Sequence, residues 1–208
     1  MNSLQHVLDH KIVAIIRGAA PDDMLRIVQA LYEGGIRTLE VTINSQKPLL
    51  VIERITAEMG DKMLIGAGTV LDPETARSAL LSGARFIVSP TFNPDTITMT
   101  KKYGAVSIPG AMTPTEILAA YTAGGDIIKV FPATIGASFF EQMSGPLPHI
   151  PLMPTGGVTL DTIAGFQKAG AVEFGLGSVL TDTSHAATDE SLQALTEKAR
   201  QFIAAVSN

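Results

Sequence analysis

The sequence contains no cysteine and no tryptophan, and only 5% of its 208 residues are aromatic. Without cysteine the chain has no disulfide scaffold, no thiolate nucleophile and no cysteine-based metal site. Its 15 lysines and arginines are outnumbered by 20 aspartates and glutamates, and no basic cluster interrupts the net charge of −5. Nucleic acids and anionic membranes bind a concentrated positive face, so we expect neither as a partner.

Long apolar runs are missing as well. The longest have the length of a strand, and the opening MNSLQHVLDHKIV lacks the basic segment and apolar core of a signal peptide. We therefore expect a cytoplasmic protein without a membrane partner. His6 and His10 have the spacing of two helical metal ligands, but no third ligand lies nearby in the sequence. We expect a solvated N-terminal helix there and no metal.

The chain does contain a regular alternation of strand-length apolar runs and helix-length segments. Proline or aspartate opens several of the helical segments, and glycine closes most of them. Eight strands, each followed by a helix, predict one (β/α)8 TIM barrel over residues 1–208, with a short N-terminal helix. An open, doubly wound sheet is the rival fold, but nothing marks a reversal of strand order. The strand runs are KIVAIIR, IRTLEVTI, MLIGAGTV, RFIVSP, AVSIPG, DIIKVF, IPLMPTGG and VEFGLGS.

Polar side chains converge at the carboxyl ends of these strands, where such barrels place their active sites. In RTLEVTIN the apolar residues alternate with Glu40, so Glu40 faces the barrel interior. Arg17 and Thr69 lie near the ends of the first and third strands. Glu173 comes early in its strand, away from this mouth, and we interpret it as structural.

Lys129 in GGDIIKVFPATIG has apolar strand residues on both sides. A buried ammonium group without a partner is costly, so the position needs a reason. One possibility is a structural ion pair with Glu40. The other is a nucleophile, because an amine removed from water favours its neutral, reactive form.

Two glycine-rich segments close the last two strands, PTGGV at 154–158 and GLGS at 175–178. Barrels of this kind often hold a phosphate at these two loops, on backbone N–H groups and a helix N-terminus. For either loop alone, the simpler explanation is that its glycines only permit a tight turn. Both loops together favour phosphate binding by Gly156, Gly157, Gly177 and Ser178, and we include Thr155 among the substrate-binding residues.

The motifs VAIIRG, LEVTINS, IGAGTV, FIVSPTFNP, IPGAMTPTE, IIKVFPA, MPTGGV and GLGSVL resemble those of one enzyme family. They are similar, from about Ile12 to Leu180, to the 2-dehydro-3-deoxy-6-phosphogluconate aldolases and their 4-hydroxy-2-oxoglutarate and phosphogalactonate relatives. The resemblance implies a (β/α)8 homotrimer and a class I aldolase without metal or cofactor. It assigns Lys129 as the Schiff-base lysine, Glu40 as the general acid and base, Thr69 as a contact of the pyruvyl part, Pro90 and Phe131 as pocket residues, and Gly156, Gly157 and Ser178 as the phosphate site.

The chain departs from the family at Asn44, where some members carry an arginine that holds the substrate carboxylate. We expect Arg17 to take that role. The implied reaction cleaves a 2-keto-3-deoxy-6-phospho sugar acid of the phosphogluconate type to pyruvate and glyceraldehyde 3-phosphate. The phosphogalactonate epimer and 4-hydroxy-2-oxoglutarate are alternative substrates. Two other functions remain, a phosphosugar isomerase or epimerase with Glu40 as base, and a phosphosugar-binding barrel without activity.

Overall fold

The computed structural model describes residues 2–183 and 187–207. Strands and helices alternate along this part of the chain as the sequence predicts. The strands are β1 Ile12–Ile16, β2 Thr38–Thr42, β3 Leu64–Gly68, β4 Phe86–Val88, β5 Val106–Ile108, β6 Gly110–Ala111, β7 Ile128–Val130, β8 Leu152–Pro154 and β9 Phe174–Leu176. The helices are α1 Ser3–His10, α2 Met24–Glu33, α3 Pro48–Met59, α4 Pro73–Leu81, α5 Pro94–Lys102, α6 Pro114–Thr122, α7 Ala137–Ser144, α8 Ile163–Lys168 and α9 Asp189–Val206.

The strands form a curled, wholly parallel sheet in two parts. Six strands follow the order β5-β4-β3-β2-β1-β9, and three follow the order β6-β7-β8. The predicted fifth strand is divided because Pro109, between β5 and β6, has no N–H for the ladder. Its carbonyl still accepts from the N–H of Lys129 at 2.9 Å. On the other side a single bridge joins Thr155 to Gly175. The predicted α/β class is confirmed.

Two apolar clusters lie on the two faces of the sheet. The larger one joins helical side chains to one face of the strands, with Leu39 and Val41 of β2 and Ile128 of β7 among its members. The smaller one, on the opposite face, consists of strand residues and Val7 of α1. Residues that alternate with Leu39 and Ile128 therefore face the concave interior, as the period of two requires. Glu40 and Lys129 are two of them.

Helix α1 packs against this interior rather than standing in solvent. Val7 is fully buried in the smaller cluster, and His6 is only 7% exposed. The His6 Nε2 lies 3.1 Å from the carbonyl of Arg37, and the rings of His6 and His10 are 4.2 Å apart. The expectation of a solvated helix is therefore wrong for His6, because burial of Val7 brings the same helical turn against the strands.

The helices begin directly after the loops that follow the strands. Proline occupies the first turn of α3, α4, α5 and α6, where its missing N–H costs nothing. Asp72, Asn93 and Thr113 cap three of these helices with side-chain oxygens. No described helix has the length and apolar character needed to cross a bilayer.

Candidate active site

A cavity of about 890 Å³ opens at the carboxyl ends of the strands. All the predicted site residues except Glu40 line it. They come from the ends of different strands, which is how the fold brings together segments far apart in sequence. The predicted residues in its wall are Arg17, Thr69, Pro90, Lys129, Phe131, Thr155, Gly156, Gly157, Gly177 and Ser178.

Lys129 lies in the wall of this cavity, in the middle of β7. Its side chain is only 5% exposed, and its Nζ lies 5.3 Å from the centroid of the Phe131 ring. No carboxylate among the described residues lies within salt-bridge distance of this amine. The structure therefore does not contain the direct ion pair with Glu40 that would have made Lys129 purely structural.

Glu40 lies behind the cavity wall and is fully buried. Neither of its carboxylate oxygens has a hydrogen-bond partner among the described residues. Burial raises the pKa of Glu40, while the positive charges of Lys129 and Arg17 oppose that rise. A buried carboxyl group with a raised pKa, close enough to sense both cations, is the kind of group that serves as an acid or base in a site.

The neighbouring strand makes room for this carboxyl group. Glu40 pairs with Gly66 in register, and Gly68 follows two residues later on the same face. A Cβ atom at Gly68 would lie 1.6 Å from Oε1 of Glu40. Residue 68 must therefore be glycine for Glu40 to keep its position.

Arg17 follows β1 at the rim of the cavity. Its Nη1 donates to Oδ1 of Asn44 at 2.8 Å, and its Nη2 donates to Oγ1 of Thr69 at 3.3 Å. Thr69 adopts a left-handed backbone conformation with φ of 59°, which is uncommon for a β-branched residue. The guanidinium group is thus held by the ends of β2 and β3 and directed over the cavity.

The two glycine-rich loops, after β8 and β9, form another part of the cavity wall. Gly156 and Gly157 have φ values of 77° and 90°, a region open to glycine and costly for other residues. Their N–H groups, and those of Ser178 and Val179, donate to no described residue. Free N–H groups in glycine-rich turns are suited to binding an anion.

Thr155 directly follows β8, precedes Gly156 and lines the same cavity as Lys129. It is 5% exposed, and its Oγ1 is buried without a hydrogen-bond partner among the described residues. A buried hydroxyl without a partner costs free energy unless a ligand satisfies it. Its place in the cavity wall makes this hydroxyl a candidate contact for a polar group of a ligand.

The sequence from near its start to α9 matches one protein family. A family model described as KDPG and KHG aldolase matches residues 4–197. The chain belongs to this aldolase family. Its members are lyases that act on carbon–carbon bonds, so the chain is an enzyme, and the family expected from the motifs is confirmed.

Known members of the aldolase family are similar in sequence and structure. The 2-dehydro-3-deoxy-6-phosphogalactonate aldolase of Escherichia coli is 36% identical over 171 residues, 81% of this chain and 83% of that protein. A structure described as native KDPGal is 32% identical with a TM-score of 0.89, covering 94% of both chains. The KDPG aldolase of Legionella pneumophila, solved with pyruvate captured as a covalent carbinolamine, is 25% identical with a TM-score of 0.84, covering 96% of this chain and 97% of that one.

Sequence reasoning missed several residues of the aldolase site. Asn44 was noted only as a departure, yet its side chain holds Arg17. Thr181, Asp182 and Thr183 also line the cavity. Their position shortly after GLGS, in the segment that follows a carboxyl strand end, was the available signal.

Proposed function

We propose that the protein is a class I aldolase that cleaves a 2-keto-3-deoxy-6-phospho sugar acid to pyruvate and glyceraldehyde 3-phosphate. The observation that carries this proposal is Lys129, a nearly buried amine without an ion-pair partner among the described residues, in the wall of an 890 Å³ cavity. The guanidinium group of Arg17 and the glycine-rich loops with their free N–H groups line the same cavity. This arrangement fits a substrate with a carboxylate at one end and a phosphate at the other.

Lys129 is the nucleophile in this reaction. Its neutral Nζ attacks the C2 keto carbon to give a carbinolamine, which loses water to form an iminium ion. The iminium accepts the electron pair of the C3–C4 bond as that bond breaks, leaving an enamine of pyruvate and releasing the aldehyde. Protonation at C3 and hydrolysis of the imine then release pyruvate and restore the amine. The covalent carbinolamine of the Legionella relative supports the same first step here.

Glu40 moves the protons. Its carboxylate takes the proton of the C4 hydroxyl during cleavage, through a water molecule, and its acid form supplies a proton when the carbinolamine loses water. A positioned acid and base of this kind contributes about 10²–10⁴-fold to the rate. Burial raises the pKa of this carboxyl group, which favours its acid form relative to an exposed glutamate.

Arg17 and Thr69 hold the pyruvyl end, with Arg17 binding the carboxylate in place of the arginine that Asn44 replaces. The Arg17–Asn44 contact supports this assignment because it directs the guanidinium group over the cavity. Gly156, Gly157, Gly177 and Ser178 hold the phosphate. Contacts to the carbon chain between the two ends come from the remaining wall residues, Pro90, Phe131 and Thr155.

The phosphogluconate-type acid is the first candidate substrate. Its phosphogalactonate epimer is the second, favoured by the E. coli relative and by the native KDPGal structure. Both give the same products, because the stereocentre that distinguishes them becomes the aldehyde carbon. 4-Hydroxy-2-oxoglutarate is the third candidate. It carries no phosphate, so the glycine-rich loops would have no phosphate of the substrate to bind.

Closure of the sheet into a (β/α)8 barrel is part of this proposal. The Thr155–Gly175 bridge and the Lys129–Pro109 hydrogen bond support it, since each spans a junction between the two parts of the sheet. A homotrimer in the cytoplasm is the assembly and location we expect. Leu71 and Phe92, 53% and 36% exposed on adjacent loops that Asn93 links, are suited to a subunit contact.

The test is release of pyruvate from the two phosphorylated epimers and from 4-hydroxy-2-oxoglutarate, measured with wild type, Lys129→Ala and, as a control, the exposed Lys102→Ala. We expect cleavage by wild type and the control and none by Lys129→Ala, with an unchanged circular dichroism spectrum. Wild-type turnover by Lys129→Ala would rule out the covalent mechanism. Isomerisation without cleavage would indicate the isomerase, and binding without turnover the inactive barrel.

A further inference from the structure

The peptide unit between Arg17 and Gly18 is held at both ends by side-chain hydroxyl groups. The carbonyl of Arg17 accepts a short hydrogen bond from Oγ1 of Thr183, and the N–H of Gly18 donates to Oγ of Ser45 at 2.9 Å. Thr183 lies in the segment after β9, and Ser45 lies in the loop after β2. The two hydroxyl groups therefore hydrogen-bond to one peptide unit, from the segments that follow the two strands flanking β1.

These contacts continue the sheet beyond the point where its ladder ends. Pairing of β1 with β9 stops at Ala14, and pairing with β2 stops at Ile16. On the β9 side Thr181 donates to the carbonyl of Ile15 at 2.5 Å, and Thr183 binds the next carbonyl that faces the same way. A strand end that would otherwise be free to move is thus fixed by hydroxyls of its neighbours.

Ser45 is itself fixed. Its Oγ lies 2.9 Å from Oγ1 of Thr42, which is fully buried at the end of β2. The chain Thr42–Ser45–Gly18 therefore connects the buried part of β2 to the backbone that carries Arg17. Polar side chains linked in this way hold one another in a single arrangement.

Hydrogen bonds fix the guanidinium group of Arg17 as well as its backbone. Asn44 and Thr69 bind its guanidinium group, while Thr183 and Ser45 bind its backbone. An arginine has many rotamers, and ordering it on substrate binding would cost affinity. Contacts that fix the guanidinium group and the backbone before the substrate binds remove much of that entropic cost.

We propose that Thr183 and Ser45 are positioning residues that hold Arg17 ready for the carboxylate of the 2-keto acid. The inference rests on the proposed function in one respect, the role of Arg17. Neither hydroxyl acts on the reacting atoms. Their loss weakens binding of the keto acid and leaves the chemical step unchanged.

The experiment follows imine formation with pyruvate, trapped by borohydride, as a function of pyruvate concentration. The variants are Thr183→Val, Thr183→Ser, Ser45→Ala, Arg17→Gln, and Thr183→Val combined with Arg17→Gln. Thr98→Val is the matched control, since Thr98 on α5 also donates to a backbone carbonyl, that of Pro94 at 2.9 Å. All are compared with wild type for folding by circular dichroism.

We expect Thr183→Val and Ser45→Ala to raise the half-saturating pyruvate concentration about three- to tenfold, the value of one neutral hydrogen bond, at an unchanged maximal rate. Arg17→Gln raises it by about tenfold or more, because it removes a charge-assisted contact. Adding Thr183→Val to Arg17→Gln produces no further rise. Thr183→Ser and Thr98→Val behave as wild type.

Two results overturn the positioning role. One is a Thr183→Val effect that persists in full on the Arg17→Gln background. The other is a fall in maximal rate at an unchanged half-saturating concentration. If Arg17→Gln has no effect on pyruvate binding, the assigned role of Arg17 fails, and a wild type that traps no pyruvate contradicts the aldolase mechanism itself.

Discussion

Glu173 gives the fold a pH-dependent stability that can be measured directly. Its side chain is fully buried next to β9, and neither carboxylate oxygen has a hydrogen-bond partner among the described residues. Burial raises the pKa of Glu173 well above its ordinary value of 4.5, and no nearby positive charge opposes the rise. The folded protein therefore favours the neutral form of this carboxyl group more strongly than the unfolded chain does.

The sign of the effect follows from proton binding. In the unfolded chain Glu173 loses its proton near pH 4.5, whereas the raised pKa in the folded protein moves this loss to higher pH. Above that pH the folded state binds one more proton, so stability falls as pH rises until the folded protein also ionises. The slope for one proton is about 1.4 kcal/mol per pH unit. Between about pH 5.5 and about pH 7.5 the loss is about 3 kcal/mol if the folded protein keeps its proton throughout.

The assay is urea unfolding of wild type and Glu173→Gln across that pH range, at fixed protein concentration and ionic strength. The glutamine is nearly isosteric and does not titrate, so its advantage over wild type grows with pH by the calculated amount. Glu53→Gln, an exposed glutamate on α3, is the control and should follow wild type. Parallel stability profiles of wild type and Glu173→Gln would refute the reasoning, since they would mean that Glu173 is charged in the folded protein.

Three further outcomes are expected. Glu40→Gln lowers kcat by about 10²–10⁴-fold, and a loss below tenfold would exclude Glu40 as the acid and base. Gly68→Ala costs about 1–3 kcal/mol in urea unfolding and lowers kcat, because its Cβ meets the Glu40 carboxyl group; unchanged stability and activity contradict this contact. Phe92→Glu lowers the particle mass in light scattering from that of the proposed trimer to that of a monomer, and an unchanged mass removes Phe92 from the subunit contact.

The face of the sheet on which Glu40 and Lys129 lie could be predicted from the sequence. A strand repeats every two residues, so the apolar neighbours of each residue determine which way it faces. The starts of the helices could also be predicted, because a proline in the first turn and a capping side chain each favour a helix start at their own position. Both kinds of information depend only on residues a few positions apart.

Contacts between loops could not be predicted from the sequence. The hydrogen bond that Arg17 donates to Asn44 and the one that it accepts from Thr183 join segments 27 and 166 positions apart, and no periodic pattern encodes the path of a loop. Burial of His6 depends on how α1 docks against the strands, which is a tertiary effect. The division of the fifth strand had a local cause in Pro109, whose missing N–H interrupts the ladder.

The most direct test of the central claim is borohydride reduction of the protein with pyruvate, followed by peptide mass mapping. The account predicts a reduced pyruvyl adduct on Lys129 and none on the other lysines. Folded protein that gains no adduct, or gains it on a different lysine, would contradict the assignment of Lys129 as the nucleophile.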